Sequence, residues 1–275
     1  MTTIKEHADA LLEYGVTVVE NALSDDLVER CRKNIFDYFS NKDNWCRGYN
    51  DVPQSLKSNG FNYEELKTCS EVLEAQKVLD VLLLATNNNL RWPHHCDVHL
   101  NFPGAKEFHT DEQRRLWPDK SKTKNGITPG DKEYNVYRLG TYLTEHTKED
   151  GAPFFVKPES YKTAYDNIMY SDAYEVYAEP GDVVIFHARI RHMGGNSKQN
   201  RAALFWAFGE DNLHSIYHSM ASIKRQMEQN LETEYKLSKH LSDIFDKNGI
   251  TYELDEDLLK KYLNIMSSEG VSYEY

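Results

Sequence analysis

The sequence predicts a mainly β fold: a double-stranded β-helix (a cupin-like jelly roll) with supporting helices before it and a helical extension after it. From about residue 90 to residue 210, short runs of β-branched and aromatic residues alternate with turn-forming clusters that contain Gly and Pro. No long amphipathic segment separates these runs, which favours antiparallel strands over βαβ units. Before and after this region, apolar residues recur at helical spacing instead.

The first ninety residues predict mostly helices. Gly15 follows an apolar-periodic segment, where it can cap the C-terminal end of a first helix. The short β-branched run 16–19 then predicts a strand. Ser24 or Asp25 stands at the N-cap position of a second helix, ahead of apolar residues at helical spacing. A further helix is predicted over residues 69–85.

The middle of the chain predicts the strands, and the last part predicts helices. The β-type runs cover residues 98–102, 134–143, 153–156, 174–178, 183–186 and 202–208. After Gly209, the spacing of Ile216, Met220, Ile223 and Met227 indicates one face of an amphipathic helix. We therefore predict a core over residues 1–210, with helices over 1–90 and the jelly roll over about 90–210. A C-terminal helical extension over residues 211–275 packs on this core.

The composition is that of an ordinary globular protein. Of 275 residues, 40% are hydrophobic, which is enough for a sizeable core. A net charge of −12 disfavours an extended nucleic-acid-binding surface. No run approaches the roughly 20 apolar residues of a membrane span, and the N-terminus is charged where a signal peptide is apolar. Four scattered cysteines without a CxxC pair indicate reduced thiols. We expect a cytoplasmic protein.

A histidine and a carboxylate two residues apart, His109 and Asp111, are the first candidate metal ligands. On a strand, residues i and i+2 point to the same side, so both side chains can reach one cation. A second imidazole would complete the two-histidine, one-carboxylate triad of non-haem Fe(II) oxygenases, which leaves positions open for a co-substrate and O2. The pair alone also occurs by chance in solvated loops.

His192 is the candidate for the second imidazole. It follows a tight turn and an apolar strand over residues 180–187, and it leads into a Gly-rich turn. Arg201 begins the next strand, where its planar guanidinium can bind a carboxylate through two parallel hydrogen bonds. His187 is the alternative ligand. Positions 187 and 192 differ in parity and lie on opposite sides of a continuous strand, so one of the two faces the metal.

These segments together resemble the phytanoyl-CoA hydroxylase-like family of Fe(II)/2-oxoglutarate-dependent oxygenases. The resemblance covers roughly residues 5 to 210. The segments that carry it are residues 14–19 with Leu23 and Ser24, His109 to Asp111, residues 151–160, and His187, His192 and Asn196 with Arg201. It implies that His109, Asp111 and His192 are the catalytic iron ligands and that Arg201 binds the distal carboxylate of 2-oxoglutarate. The turn after His192 reads Met-Gly-Gly-Asn and lacks a hydroxyl that the family uses at the co-substrate.

The resemblance also implies the reaction. The cofactors would be Fe(II), with 2-oxoglutarate and O2 as co-substrates, and a C–H bond of a small-molecule metabolite would be hydroxylated with release of succinate and CO2. Family members that transfer halide have a small residue in place of the carboxylate, so Asp111 favours hydroxylation. We expect a small-molecule substrate, no nucleic-acid or membrane partner, and a C-terminal helical surface that could form a homodimer.

Further polar residues are expected around this site. Asn101 and Tyr142 are predicted to contribute to co-substrate binding. The side chains predicted to line the substrate pocket are Arg138, His99, Arg114, Trp117 and His187. A long polar loop over residues 119–132 is predicted to form a mobile lid.

Two other functions fit the same residues. A cupin-like metalloenzyme could use the triad without 2-oxoglutarate. A non-catalytic jelly-roll binding module would need neither a catalytic metal nor 2-oxoglutarate. Arg201 distinguishes the first of these from the main interpretation, because only a 2-oxoglutarate enzyme needs a cation for the distal carboxylate.

Overall fold

A computed structural model describes residues 2–47, 53–101, 107–111, 135–144, 154–162, 173–194, 201–257 and 259–260. Arg114, Trp117 and the predicted lid over residues 119–132 lie outside the described residues, so their predicted roles stay predictions. So does most of the Gly-rich turn after His192.

The described chain contains both helices and strands. The helices are α1 (Ile4–Tyr14), α2 (Asp25–Ser40), α3 (Lys67–Ser70), α4 (Gln76–Ala85), α5 (Leu213–Asn230) and α6 (Lys239–Asn248). The strands are β1 (Val16–Val19), β2 (Cys46–Arg47), β3 (Pro53–Gln54), β4 (Leu56–Lys57), β5 (Leu90–Arg91), β6 (Cys96–Leu100), β7 (Val136–Tyr142), β8 (Phe154–Lys157), β9 (Tyr174–Val176), β10 (Val183–His187), β11 (Arg191–Met193) and β12 (Ala202–Glu210). The fold is therefore mixed rather than mainly β, because long helices flank the strands at both ends of the sequence.

Two antiparallel sheets form the centre of the molecule. The larger sheet has the order β1–β10–β7–β12–β6–β4, and β5 also pairs with β12. The smaller sheet has the order β11–β8–β9, and β2 and β3 form a separate pair. Within the described ranges, no hydrogen-bonded ladder joins the two main sheets into a closed barrel. Closure into a complete double-stranded β-helix stays a prediction.

The two faces of the large sheet have different partners because strand side chains alternate in direction. On β12, Leu204 and Trp206 belong to the main core, which the helices cover on the outer face. Ala203 of the same strand packs with Phe154 and Phe186 in a second apolar cluster between the two sheets. We call the face that carries Ala203 the inner face. The candidate site lies on this side.

The helix ends confirm the predicted capping residues. Ser24 caps α2 through its hydroxyl, which accepts a hydrogen bond from the Leu27 N–H. Gly15 ends α1 with φ 82°, a left-handed conformation that favours glycine. The single helix predicted over residues 69–85 is wrong. The backbone of Ala75 is extended (ψ 97°), so the segment divides into α3, a 3-10 turn over Glu71–Glu74, and α4.

The helices after β12 pack differently from each other. Leu241 and Phe245 of α6 join the main core. Helix α5 buries polar side chains as well as Met220 and Ile223. The division into a core and an extension at residue 210 stays a prediction. Among the described helices, none combines the length and apolar character that crossing a lipid bilayer requires.

Candidate metal centre

A backbone bridge joins the two histidine segments of the site. The His109 N–H donates to the carbonyl of His192 and the His192 N–H donates to the carbonyl of His109, both at 3.0 Å. The Asp111 N–H donates to the carbonyl of Ala188 at 2.8 Å. Residues 107–111 therefore lie beside β11 as a short extended segment. This pairing brings the His-x-Asp segment next to His192, as the sequence predicted.

The three side chains place their ligand atoms close together. The Nε2 atom of His109 lies 3.7 Å from Asp111 Oδ1, and the Nε2 atom of His192 lies 3.7 Å from Asp111 Oδ2. All three potential ligand atoms lie within 4.8 Å of one another. Both histidine–aspartate separations are shorter than twice a metal–ligand bond of about 2.1 Å. One ion can therefore contact all three after small side-chain adjustments.

The hydrogen bonds of both rings select the tautomer that binds a metal through Nε2. The Nδ1 atom of His109 lies 3.0 Å from the carbonyl oxygen of Glu107, and that of His192 lies 3.1 Å from the carbonyl oxygen of Ile190. A carbonyl only accepts, so each Nδ1 carries the hydrogen and each Nε2 keeps its lone pair. Such second contacts fix the orientation of metal-binding histidines.

The charges match what a cation requires. Burial would raise the pKa of Asp111, but the charges of Arg138, His192 and His109 outweigh it, and the pKa is lowered overall. Arg138 Nε lies 3.1 Å from Asp111 Oδ2. Burial lowers the pKa of His192 to about 4, although Asp111 opposes this shift. At neutral pH the group holds an ionised carboxylate and a neutral buried imidazole, the forms that bind metals.

Apolar rings surround His192. The ring centroids of Phe186 and Phe154 lie 4.8 Å and 5.4 Å from that of His192. His192 itself is buried, whereas the side chain of His109 is 34% exposed. The site is therefore enclosed on the His192 side and open to solvent on the His109 side.

Arg201 is buried directly before β12 and stacks on Tyr142, whose ring centroid lies 4.5 Å from the Arg201 Cζ. The Arg201 N–H donates to Asn101 Oδ1 at 2.9 Å, and the Asn101 N–H donates to the carbonyl of Arg201 at 2.7 Å. Among the described residues, no carboxylate forms an ion pair with Arg201. Asn101 contacts the Arg201 backbone and is itself exposed, and its contribution to co-substrate binding stays a prediction.

Two more predicted pocket residues lie on the inner face. His99 on β6 and Tyr142 on β7 are both paired with Ala203 of β12, which lies between them. The ring of His99 lies 5.0 Å from that of Phe205, and burial lowers the pKa of His99 to about 3. Arg138 occupies the same face of β7 as Tyr142, but its contact is with the candidate ligand Asp111.

His187 lies on the other side of the sheet, contrary to the expectation that it lines the substrate pocket. Its ring stacks on that of Tyr161 at 4.4 Å, and its Nδ1 accepts a hydrogen bond from the Arg189 N–H. Strand alternation gives it the direction of Val183 and Ile185, which belong to the outer core. The turn after β10 then changes the direction of the chain, and His192 points inward.

Sequence reasoning did not identify a second polar group on the inner face, formed by His95, Asp97, His218 and Arg225. The alternation of His95, Asp97 and His99 at every second position was a signal, since it indicates one polar strand face. No comparable sequence pattern indicates a site at His218, because its helix is marked only by the stripe of apolar residues.

The fold is shared with solved 2-oxoglutarate-dependent oxygenases. The non-haem α-ketoglutarate-dependent epimerase SnoN from nogalamycin biosynthesis is 13% identical, with a TM-score of 0.57 over 75% of this chain and 83% of that chain. The carbocyclase SnoK from the same biosynthesis is 20% identical, with a TM-score of 0.54 over 76% and 86%. A prolyl-4-hydroxylase from Pseudomonas putida is 15% identical, with a TM-score of 0.53 over 76% and 100%.

No protein-family model matches the sequence. No curated protein matches it either. The structural similarity therefore establishes a fold in common with these oxygenases, and the narrower resemblance to the phytanoyl-CoA hydroxylase-like family stays a prediction.

Proposed function

We propose that this chain is an Fe(II)/2-oxoglutarate-dependent oxygenase that hydroxylates a C–H bond of a small-molecule metabolite. One observation carries the proposal: the lone-pair nitrogens of His109 and His192 and the carboxylate of Asp111 lie within 4.8 Å of one another. The shared fold supports it, because the similar SnoN has been solved in complex with Fe3+, α-ketoglutarate and nogalamycin RO.

The donor set fits iron. Two neutral imidazoles and one carboxylate are the ligands of the non-haem Fe(II) facial triad. In this role His109 and His192 bind through Nε2 and Asp111 through a carboxylate oxygen, while Arg138 keeps that carboxylate ionised and oriented.

Arg201 is the proposed partner of the distal carboxylate of 2-oxoglutarate. It is only 7% exposed, and a buried cation without a counter-ion is costly. Two other arginines on the inner side already have carboxylate partners, Arg138 with Asp111 and Arg225 with Asp97. Tyr142 would support the guanidinium of Arg201 by stacking, and Asn101 would fix the backbone from which it extends.

Bound Fe(II) with 2-oxoglutarate and O2 would supply the oxidising chemistry, with succinate and CO2 as co-products. The protein's own residues hold the ligand atoms, neutralise the co-substrate's charge at Arg201, and limit access of water on the Phe154 and Phe186 side. A hydroxylated product would contain one additional oxygen atom. An epimerised product would have unchanged mass, and a cyclised one would lack two hydrogens, so mass spectrometry separates these reactions.

An anaerobic titration tests the proposal. Fe(II) and 2-oxoglutarate added to the protein should give the weak visible charge-transfer band of their chelate, and Asp111→Ala should abolish it. Asp243→Asn, at an exposed side chain of α6, is the matched control and should keep the band. Tight Fe(II) binding that does not respond to 2-oxoglutarate would favour a metalloenzyme that acts without it. A folded protein that binds neither would favour a non-catalytic module.

A further inference from the structure

A second buried polar group lies on the inner face of the large sheet, against α5. Arg225 of α5 donates through Nη2 to both carboxylate oxygens of Asp97, at 2.6 and 2.7 Å. His95 Nε2 lies 3.3 Å from Asp97 Oδ2, and His95 Nδ1 lies 3.1 Å from the hydroxyl of Ser222. These residues fix one another's positions, which gives the group a rigid base.

His218 is the exception in this group. Its side chain belongs to α5, is 2% exposed, and has its ring centroid 5.7 Å from that of His95. Neither ring nitrogen has a hydrogen-bond partner among the described residues. Such a buried polar group costs about 1–3 kcal/mol, and few occur in native structures without a ligand, a water or a functional reason. The unmet donor and acceptor indicate that something else binds there.

The sheet register relates this group to the candidate metal ligands. The Ala207 N–H donates to the carbonyl of His95 at 3.1 Å, and Ala207 is paired with Arg138 on its other side. His95, Ala207 and Arg138 therefore form one row across three strands, about 10 Å wide. Only a methyl group lies at its centre, and Arg138 at its end contacts Asp111.

Electrostatics support the same arrangement. Burial has the largest effect on the pKa of His218 and lowers it, and the charge of His95 lowers it further. The charge of Arg138, which lowers this pKa, and that of Asp111, which raises it, come next. His95 in turn contributes to lowering the pKa of Asp111. His218 and the candidate metal ligands therefore lie within electrostatic reach of each other, on the same side of the sheet.

The charge balance selects the ligand. Arg138 is neutralised by Asp111 and Arg225 by Asp97, while burial keeps the histidines beside them neutral. A divalent metal balances the two negative charges of 2-oxoglutarate, which leaves the positive charge of Arg201. Among these groups one positive charge is uncompensated, which favours an anionic substrate.

We propose that His218 binds a carboxylate of the substrate, at the end of the His95–Ala207–Arg138 row opposite the metal ligands. This assignment rests on the proposed function. It limits the length of the substrate acid, because the carboxylate at His218 and the oxidised carbon near the metal are separated by about the width of the row, roughly 10 Å. His95, held by Asp97 and Ser222, positions the His218 ring.

A titration of histidine-labelled protein tests the proposal. Protein with 13C-labelled histidine rings, loaded with Zn(II) and saturated with 2-oxoglutarate, is titrated with 3-methylbutanoate and benzoate. The matched amides and inorganic phosphate serve as comparison probes. The His218 signal, identified by its loss in His218→Gln, should shift with the carboxylates and not with the amides. An equal response to the amides, a response to phosphate alone, or no response up to the solubility limit overturns the proposal.

Substitutions separate a binding role from a packing role. His218→Phe should weaken carboxylate binding at least tenfold and raise Tm by about 2–4 °C, because it removes an unsatisfied polar group. His218→Gln should retain part of the affinity. Ser219→Ala is the matched control, since the Ser219 hydroxyl is buried and donates to the Ser215 carbonyl within α5. Unchanged affinity in His218→Phe would show that the histidine only fills space.

The two proposals fail independently. A missing Fe(II)–2-oxoglutarate band in the unmodified protein overturns the proposed function, and repeating the carboxylate titration on metal-free protein then shows separately whether His218 binds a carboxylate. A normal band with no carboxylate response overturns only the role of His218. His218→Phe should leave the band intact.

Discussion

Arg138 Nε lies 3.1 Å from Asp111 Oδ2, so the only carboxylate among the three candidate metal ligands has a cation of its own. Arg138 is on β7, in the middle of the large sheet, whereas Asp111 is on a short extended segment beside β11. The ion pair therefore connects the short segment that carries Asp111 to a central strand of the large sheet.

Removal of this partner should weaken the metal site. Arg138→Met keeps the apolar stem and removes the guanidinium, so Asp111 loses its orientation. We expect Fe(II) affinity to fall about 10–100-fold, the usual effect of losing a contact to a metal ligand. Competition against a coloured chelator measures it. Arg30→Met, which breaks an exposed ion pair with Glu71, is the control. Higher affinity in Arg138→Met would mean that repulsion between the guanidinium and the metal outweighs orientation.

Loss of Arg201 should affect the co-substrate and not the metal. Arg201→Leu removes the guanidinium that stacks on Tyr142. Because hydrogen bonds to charged groups contribute about 1.5–3 kcal/mol, we expect the Kd for 2-oxoglutarate to rise roughly 10–150-fold. Titration of the visible band against 2-oxoglutarate gives this Kd. Fe(II) affinity in the same variant is the internal control, and an unchanged Kd would require another cation for the distal carboxylate.

The buried histidines predict loss of stability in mild acid. Burial lowers the pKa values below the ordinary 6.5, to about 4 or about 3, for His94, His95, His99 and His192. Between pH 6.5 and about 4 the unfolded chain binds protons that the folded chain does not. The free energy of unfolding therefore falls as pH falls, by up to about 1.4 kcal/mol per pH unit for each histidine.

Urea unfolding of the metal-free protein at pH 7, 6 and 5 measures this dependence. We expect the midpoint to fall steeply between pH 6 and pH 5. A midpoint that stays constant over this range would show that the histidines gain protons in the folded state. Metal-free protein is needed because a bound ion would add its own pH dependence.

Gly140 should not tolerate a side chain. A Cβ atom at this position would lie 2.8 Å from Cε1 of Phe205, which occupies the neighbouring position of β12 on the inner face. Gly140→Ala should reduce the free energy of unfolding by about 1–3 kcal/mol, the usual cost of overpacking. Urea unfolding measures this effect. Restored stability in the double variant Gly140→Ala/Phe205→Leu would identify the ring as the obstacle, and an undiminished single variant would contradict the prediction.

The sequence could predict the candidate ligands because the relevant geometry is local. His109 and Asp111 share a strand side through a spacing of two, and parity separates His187 from His192. The contacts of Arg138 could not be predicted in the same way. Its position on the inner face follows from the strand pattern, but its pairing with Asp111 depends on how a separate segment crosses β11.

Long-range contacts explain what sequence reasoning missed on α5. Arg225 and Asp97 are 128 residues apart, and no periodicity relates a helix position to a distant strand position. The apolar stripe of α5 was predicted, and Met220 and Ile223 are indeed buried. His218 and Arg225 are seven residues apart and share a second buried side of this helix. A hydrophobic pattern identifies the side with Met220 and Ile223 and does not identify the side with His218 and Arg225.

The position of α5 in the chain has a consequence for synthesis. During translation, all three candidate metal ligands and Arg201 leave the ribosome before α5 does, because α5 follows β12. A nascent protein could bind the proposed metal while the helix that carries His218 and Arg225 is still missing. The proposed carboxylate site would be completed last, so an incomplete chain would have the means to bind a metal before it could bind the proposed substrate.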